Sequence, residues 1–252
     1  MTESLAPRTV TAAVLIIGNE ILSGRTKDAN LSWLAEHLNT IGIRVLEARV
    51  VADVPDAIIA AVNETRSRFD YVFTTGGIGP THDDITSECV ARAFGAKLVL
   101  NEEARARLQR HYPPGGLNEA RLRMAHVPEG ASLIDNPISA APGFQIGNVF
   151  VMAGIPTVMQ AMFDSLKHRL TGGEPMLSRT IAALLGEGVI AQDLGALQAR
   201  YGDLEIGSYP FVRQNRFGAS FVIRGTDADR IAACAEELAA IIRRLGAEPI
   251  AE

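Results

Sequence analysis

The sequence predicts an α/β fold: a doubly wound, mostly parallel sheet in three layers (α/β/α), followed by a small α+β domain. Over about residues 10–172, apolar runs that suit buried strands alternate with segments whose apolar residues recur at helical spacing, as in doubly wound domains. Residues 171–175, Thr-Gly-Gly-Glu-Pro, then indicate a linker. Residues 177–250 carry the order strand, helix, strand, strand, helix, which predicts the second domain.

The elements of the first domain follow from its hydrophobic pattern. Residues 11–17, Thr-Ala-Ala-Val-Leu-Ile-Ile, form the continuous apolar run expected of a strand buried on both faces of a parallel sheet. Asn101 is placed to cap a helix that opens with two glutamates. Similar reasoning predicts strands at residues 43–51, 70–75, 98–100 and 145–152. It predicts helices at residues 31–41, 55–68, 84–94 and 117–124 and after Pro156, and a loop between residue 124 and residue 143.

The second domain is predicted to form a sheet with helices on one side. Its strands are expected at residues 178–185, 204–209 and 219–224, and its helices at 190–200 and 227–245. The last helix carries an apolar stripe at helical spacing, formed by Ile231, Cys234, Leu238, Ile241 and Leu245.

The composition excludes several classes of protein. A net charge of −5 over 252 residues argues against a general nucleic-acid binder, which usually carries a strong basic patch. No apolar run reaches the 18 residues of a membrane span, and the first ten residues lack the plan of a signal peptide. Cys89 and Cys234 are far apart and form neither a metal-binding spacing nor a disulfide framework. We therefore expect a cytoplasmic protein with no membrane or nucleic-acid partner.

A glycine-rich motif at residues 74–86, Thr-Thr-Gly-Gly-Ile-Gly-Pro-Thr-His-Asp-Asp-Ile-Thr, leaves a predicted strand and enters a predicted helix. Its glycines allow a tight turn, and their amides, with the helix N-terminus, form a natural anion site. Asp83 and Asp84 would repel a phosphate unless a divalent cation bridges the two, as Mg²⁺ does with one or two carboxylates. The alternative is that an aspartate only caps the helix. The spacing fits neither the Walker A motif nor the dinucleotide fingerprint.

Other turns are expected at the same edge of the sheet. Right-handed crossovers place all strand-to-helix turns together, so residues 18–20, 51–53 and 153–156 should lie beside the glycine-rich motif. Residues 136–144 form a candidate lid over this edge. No nucleophilic triad is recognisable, and His82 is interpreted as a solvent-facing loop residue.

Three polar residues of the first domain have two interpretations each. Asp53 either caps the following helix or faces Asp84 as a second acid. Glu20 is either a third acid or the partner of an arginine such as Arg25. Asn30 either caps a helix or contacts the ligand.

Several segments carry a resemblance to a known family: Gly18-Asn-Glu-Ile-Leu-Ser-Gly24, Asn30, the motif at residues 75–86, Asn136-Pro137 and Ala141-Pro-Gly-Phe144. They resemble the molybdopterin-binding, MoaB/Mog-like domain, and within that superfamily the CinA N-terminal type, over about residues 11–170. Residues 206–210, Ile-Gly-Ser-Tyr-Pro, and the elements after them resemble the second part of the molybdopterin-binding region of eukaryotic FAD synthases. The resemblance includes neither the amidohydrolase domain of CinA proteins nor an FAD synthase domain, so these activities are not expected.

The resemblance implies a ligand in which a pterin, flavin or adenine is linked to phosphate or pyrophosphate. Mog-like members bind or adenylylate molybdopterin, whereas the CinA and FAD-synthase-linked members are associated with metal-dependent cleavage of ADP-ribose or FAD. It also implies self-association, as a homodimer or trimer. The chain departs from the CinA pattern at Ser139, where a glycine is usual, and at Val158, where a glutamate is usual.

The leading hypothesis is a hydrolase of phosphoanhydrides: a metal-dependent nucleotide pyrophosphatase acting on an ADP-ribose- or FAD-type substrate. Asp84 and Asp53 are its predicted catalytic residues, and Asp84, Asp83 and Asp53 are predicted to bind Mg²⁺, Mn²⁺ or Co²⁺. The alternatives are a non-catalytic module that binds molybdopterin or a nucleotide for molybdenum cofactor biosynthesis, and a structural subunit with a vestigial site. The residues predicted to bind substrate or its phosphates are Gly18, Asn19, Glu20, Asn30, Thr75, Gly76, Gly77, Gly79, Pro80, Thr81, Ser139, Gly154 and Pro156.

Overall fold

The structure is a computed structural model that describes residues 9–213 and 215–251 in two compact units, the first ending at Gly173 and the second beginning at Glu174. The strands of the first unit are β1 (Val10–Ile17), β2 (Ile43–Val51), β3 (Tyr71–Thr75), β4 (Leu98–Leu100), β5 (His126–Pro128), β6 (Ser132–Ile134), β7 (Gly143–Ile146) and β8 (Val149–Met152). Its helices are α1 (Asn19–Leu22), α2 (Asn30–Thr40), α3 (Pro55–Arg68), α4 (Thr86–Ala93), α5 (Glu102–His111), α6 (Glu119–Leu122) and α7 (Pro156–Leu166). The second unit contains β9 (Leu177–Ala183), α8 (Glu187–Arg200), β10 (Glu205–Arg213), β11 (Arg216–Gly225), α9 (Ala228–Arg244) and β12 (Ile250–Ala251).

The central sheet of the first unit has six strands in the order β2-β1-β3-β8-β7-β6. The first four are parallel to one another, whereas β7 and β6 pair antiparallel at one side. The prediction of a mostly parallel, doubly wound sheet is therefore confirmed.

Helices cover both faces of this sheet, as β1 illustrates. Its residues Ala12, Val14 and Ile16 are buried in an apolar cluster with α2 and α7 on one face. Leu15 and Ile17 point the other way, into a cluster with α3 and α4. Because successive side chains of a strand alternate between faces, a strand between two helical layers must be apolar at every position. The continuous apolar run of β1 has this cause.

The single strand predicted over residues 145–152 is wrong. The segment forms the hairpin of β7 and β8, in which Ile146 pairs with Val149 across the two-residue turn Gly147-Asn148. Gly147 has a φ of 55°, which glycine adopts easily in such turns. Asn148 holds the turn in place by donating from Nδ2 to the carbonyl oxygens of Arg66 and Phe69.

The predicted loop before residue 143 contains two short strands. β5 pairs with β4 in a separate two-stranded sheet, and β6 pairs with β7 at the edge of the main sheet. Neither β5 (His-Val-Pro) nor β6 (Ser-Leu-Ile) is a continuous apolar run, unlike the equally short β4 (Leu-Val-Leu), so the hydrophobic pattern does not reveal them. The helix α1 was not predicted either, because four residues are too few to show the helical spacing of apolar residues.

The second unit has an antiparallel sheet in the order β10-β11-β9-β12. Ala219, Phe221 and Ile223 of β11 share one buried cluster with apolar residues of α8 and α9, so both helices lie on the same face of the sheet. The predicted order of strand, helix, strand, strand, helix is confirmed, and β12 is an addition at its edge. Within the described residues, no helix has the length and apolar character needed to cross a membrane.

Candidate functional site

The four parallel strands of the first unit all end at one edge, and hydrogen bonds join the turns that follow them. The amide of Asn19, after β1, donates to Oδ2 of Asp53, after β2, at 2.8 Å. The amide of Gly76, after β3, donates to the carbonyl oxygen of Met152 at the end of β8 at 3.1 Å. We therefore find the predicted turns assembled side by side.

The glycine turn, residues 76–79, requires glycine at its first two positions. Gly76 and Gly77 have φ values of 103° and 66°, which place both in the region that glycine favours. A Cβ on Gly76 would lie 2.1 Å from the carbonyl oxygen of Ile17, and one on Gly77 would lie 2.2 Å from Oγ1 of Thr86. The backbone therefore passes directly against β1 and the start of α4.

The glycine turn presents a row of backbone donors. The amides of Gly77, Ile78 and Gly79 donate no hydrogen bond to any other residue that the structure describes. Consecutive free amides in a turn form a concave site for an anion, because each N–H carries a partial positive charge. This arrangement suits phosphate oxygens.

Asp84 is held beside this row of donors. Its Oδ2 accepts hydrogen bonds from the amide of Thr81 at 2.8 Å and from the Thr81 hydroxyl at 2.5 Å. Helix α4 begins only at Thr86, and no side chain caps it, so the interpretation of Asp83 or Asp84 as a helix cap is wrong. In the part of the chain that the structure describes, Oδ1 of Asp84 has no hydrogen-bond donor and remains available to a ligand.

Asp83 and His82 lie on the outer rim of the motif. Both side chains are exposed, and the imidazole Nδ1 lies 4.0 Å from Oδ1 of Asp83. The pKa of Asp83 is below its usual value, because the nearby Thr81 hydroxyl, and after it the amide of Asp83 itself, favour the ionised carboxylate. Asp83 therefore stays ionised in neutral solution but projects into solvent. Pro80 connects this rim to the glycine turn.

Asp53 does not cap α3. That helix starts at Pro55 without a side-chain cap. Asp53 instead forms a reciprocal pair with Asn19, since its amide also donates to Oδ1 of Asn19 at 3.4 Å. The pair fixes the turn after β2 against the turn after β1. Gly18 supports this arrangement by donating from its amide to the carbonyl oxygen of Val51 at 3.1 Å.

A small cavity of about 60 Å³, which we call the edge pocket, opens beside the glycine turn. It brings together five residues predicted to bind substrate. These are Glu20, Asn30, Thr75, Gly154 and Pro156. Its remaining lining residues are Ile16, Ile17, Ile21, Thr26, Lys27, Asp28 and Ala29.

Asn30 is a buried constituent of the edge pocket and not a helix cap. The first two amides of α2, those of Asn30 and Leu31, donate hydrogen bonds to the carboxylate of Asp28 at 3.3 and 2.9 Å. Nδ2 of Asn30 donates to the carbonyl oxygen of Gly154 at 2.8 Å. Glu20, exposed at the mouth, forms no ion pair with Arg25 among the described residues, so that interpretation is wrong.

A second cavity of about 210 Å³, the outer pocket, lies on the other side of the glycine turn. Asp84, Ile78 and Gly79 line it together with Ser87, Glu88, Leu98, Arg123 and His126. The last five residues were not predicted. Ser87 and Glu88 lie only one helical turn beyond Asp84 and could have been inferred from that spacing, whereas Arg123 and His126 come from a distant segment without any local signal.

The candidate lid is organised by Asn136. Its Oδ1 accepts from the amides of Ile138 and Ser139, both at 3.1 Å, while Nδ2 donates to Oγ of Ser139 at 2.7 Å and to the carbonyl oxygen of Ala141 at 2.8 Å. Because β6 runs parallel to β8, this loop leaves the sheet at the same edge as the glycine turn. Ser139 lines neither the edge pocket nor the outer pocket.

The predicted acids do not gather into one metal-binding group. Within residues 9–213 and 215–251, no three His, Cys, Asp or Glu side chains are placed to hold a metal ion together. Asp84 and Asp53 each have a carboxylate oxygen that accepts no hydrogen bond from the described residues. A single available carboxylate such as that of Asp84 fits a cation that takes one or two carboxylates and completes its coordination with phosphate oxygens, as Mg²⁺ does.

Comparison with known proteins agrees with this architecture. The probable FAD synthase of Caenorhabditis elegans is 31% identical over 258 residues, which cover 92% of this chain and 50% of the nematode protein. A CinA-like protein of Citrifermentans bemidjiense is 41% identical over 167 residues, covering 64% of this chain and 40% of its own length. This chain therefore spans half or less of these two relatives.

A solved structure covers the first unit. The CinA protein of Thermoplasma acidophilum, described as having unknown function, superposes with a TM-score of 0.59 at 35% identity. The match covers 63% of this chain and 98% of that protein. The second unit, at residues 175–247, matches the FAD synthase middle domain. Since residues 13–172 match the probable molybdopterin binding domain, the chain belongs to that family, with a CinA-like protein and a probable FAD synthase among its relatives.

Proposed function

We propose that this protein is a metal-dependent nucleotide pyrophosphatase that hydrolyses the phosphoanhydride of an ADP-ribose- or FAD-type substrate. One observation carries the proposal: the free amides of residues 77–79 lie beside Asp84, whose Oδ1 remains available. The free amides attract a phosphate, but the neighbouring carboxylate of Asp84 repels it. Phosphate binding becomes favourable when a cation lies between the carboxylate and the phosphate.

In the proposed mechanism, some residues of the site bind the pyrophosphate and others orient the two carboxylates. The amides of Gly77, Ile78 and Gly79 bind oxygens of the pyrophosphate and fix it against the turn. Thr81 orients Asp84 through two hydrogen bonds, and Asn19 orients Asp53. A divalent cation held by Asp84 would supply charge stabilisation to the bridging phosphates.

The chemical step is the addition of water to one phosphorus. A water oxygen forms the new P–O bond, its proton passes to the carboxylate of Asp53, and the P–O bond to the second phosphate breaks. The departing phosphate keeps the electron pair of that bond. The products are two phosphate monoesters, one of which is AMP when the substrate is ADP-ribose or FAD.

A non-catalytic module that binds molybdopterin or a nucleotide is the second candidate. The family match to a probable molybdopterin binding domain favours it. Its other support, the loss of an acid at Val158, is weaker, because Val158 is buried in the apolar cluster under α7 and lines neither the edge pocket nor the outer pocket.

The test is a screen of substrates and metals with the purified chain. FAD and ADP-ribose are incubated with Mg²⁺, Mn²⁺, Co²⁺ or EDTA, and AMP is measured by chromatography. We expect AMP release that requires a metal. Release of no AMP under any condition, together with saturable binding of molybdopterin, would establish the binding module instead.

Asp84→Asn tests the role of the carboxylate. The amide retains an oxygen that can accept from Thr81, so the turn should survive while the charge is lost. We expect turnover to fall by about 100-fold or more, since removing a charged catalytic group costs several kcal/mol of transition-state stabilisation. Asp164→Asn, which removes an exposed ion pair with Lys167, is the matched control and should leave turnover unchanged.

A further inference from the structure

Two residues that line the edge pocket each have a buried side-chain oxygen without a hydrogen-bond partner. Asn30 is 4% exposed and Thr75 is 1% exposed, yet neither Oδ1 of Asn30 nor Oγ1 of Thr75 is bonded to any described residue. Buried polar atoms are almost always paired, because an unpaired one loses its hydration without compensation. Both residues line the same cavity, so one ligand group can satisfy both.

The volume of the edge pocket limits what can enter it. Its volume of about 60 Å³ has room for only a few groups the size of a water molecule. Pockets that enclose a whole small-molecule ligand measure about 300–1,000 Å³. The edge pocket therefore receives a single terminal group and excludes a purine, pterin or flavin ring.

The chemistry of the two oxygens identifies that group as a hydrogen-bond donor. Nδ2 of Asn30 is committed to the carbonyl oxygen of Gly154, so the amide cannot rotate and Oδ1 can only accept. An ionised phosphate has no proton to donate. Asn30 is thus unsuited to bind phosphate directly, and the free amides of the glycine turn take that role.

A neutral donor that also accepts fits the pair best. The Thr75 hydroxyl can donate, Oδ1 of Asn30 can accept, and a hydroxyl group satisfies both at once. The apolar part of the lining, formed by Ile16, Ile17 and Ile21, suits the carbon that bears such a hydroxyl.

We infer that the edge pocket recognises a sugar hydroxyl of a nucleoside diphosphate derivative whose pyrophosphate lies on the glycine turn. This inference rests on the proposed function for the position of the pyrophosphate. The hydroxyl donates to Oδ1 of Asn30 and accepts from Oγ1 of Thr75. The class of substrate is therefore one with a free hydroxyl on the sugar or polyol adjoining the phosphates.

The test compares ADP-ribose with analogues in which one ribose hydroxyl at a time is replaced by hydrogen. Two readouts are taken for each: kcat/KM for AMP release, and the shift in Tm on ligand addition, which does not depend on turnover. We expect one analogue, which we call the critical analogue, to bind roughly tenfold to hundredfold more weakly than ADP-ribose, since it leaves buried groups unpaired. Equal behaviour of all analogues would overturn the inference and leave only ordered water in the pocket.

Thr75→Val and Thr74→Val form a matched pair of variants. Thr74 is the neighbouring residue of β3, is fully buried and also has an unpartnered hydroxyl, but it does not line the edge pocket. Thr75→Val should lower the affinity for ADP-ribose by roughly tenfold to hundredfold but should not lower the affinity for the critical analogue, which already lacks the hydroxyl. Thr74→Val should change neither affinity. Thr75→Ser, which keeps the hydroxyl, should restore binding. Equal effects of the two valine substitutions would overturn the inference.

The outcomes separate the two proposals. If no substrate is cleaved but the Tm shift still distinguishes the critical analogue and Thr75→Val, hydroxyl recognition holds and the hydrolase is refuted. If AMP is released without any dependence on the sugar hydroxyls, the hydrolase holds and hydroxyl recognition is refuted. Absence of both cleavage and binding refutes both.

Discussion

Replacing Gly76 by alanine tests the close approach on which the glycine turn depends. The added Cβ would lie 2.1 Å from the carbonyl oxygen of Ile17, the last residue of β1. Real Cβ atoms essentially never lie within 3.0 Å of another heavy atom, so the strand or the turn must move by about 1 Å. Neither partner is the flexible end of a side chain, and the clash cannot be relieved locally.

The magnitude has two parts. Alanine at a φ of 103° raises the free energy of the folded backbone by roughly 1–2 kcal/mol. Forcing an extra carbon into a packed region costs about 1–3 kcal/mol more. The free energy of unfolding of the first unit should therefore fall by about 2–5 kcal/mol in total.

Gly130→Ala is the matched control. Gly130 also has a positive φ, of 83°, but a Cβ there would meet no atom within 4 Å. This variant should show only the backbone penalty of roughly 1–2 kcal/mol. The difference between the two variants isolates the contact with Ile17.

The measurement is urea denaturation followed by tryptophan fluorescence. Trp33, the single tryptophan, lies in α2, so the signal reports the first unit. The midpoint and slope of the transition then provide the free energy for each variant. Equal losses for Gly76→Ala and Gly130→Ala would refute the reasoning, because the backbone would then not be confined against β1.

Two further predictions concern ionisable groups outside the site. Burial raises the pKa of the Cys89 and Cys234 thiols to about 11, so neither should react with a thiol reagent at pH 8 until the chain is unfolded; rapid labelling of the native protein would contradict this. Hydrogen bonds from Arg200 and then Tyr201 lower the pKa of Glu237, so its contribution to stability is present above the unfolded-state pKa and is lost as the pH falls through the folded-state value. Glu237→Gln should therefore flatten the acid-side decline in the stability of the second unit, and an unchanged pH profile would refute this prediction.

Several elements of the fold could be predicted because their signals are local. The helix at Pro55–Arg68 has proline in its first turn and buries Ile58 and Val62 on one side, and its predicted bounds agree with the structure. Asn101 caps α5, as predicted, by accepting from the amide of Ala104 at 3.0 Å. Each signal depends on residues within one or two turns of one another, where chain spacing determines proximity.

One kind of error arose where hydrogen-bonding partners are distant in the chain, and another where a long apolar run hid a turn. Asp53 precedes a helix and has the composition of a cap, but it bonds with Asn19, 34 residues away. The Gly147-Asn148 turn did carry a local hairpin signal, but the flanking apolar run, long because both faces of the sheet are covered, obscured it.

The sequence by itself determined the α/β class, the two-unit organisation of its elements and the glycine motif, because hydrophobic periodicity and glycine spacing express local backbone preferences. Only the tertiary structure decided what the polar residues do. It assigned Asp28 and not Asn30 to the cap of α2, left the oxygens of Asn30 and Thr75 unpartnered in one cavity, and added a second pocket beside Asp84. The physical reason is that helix caps and ligand-binding sites use the same residue types, such as Asp and Asn. Only the hydrogen-bond partners of each side chain in the folded protein distinguish the two roles.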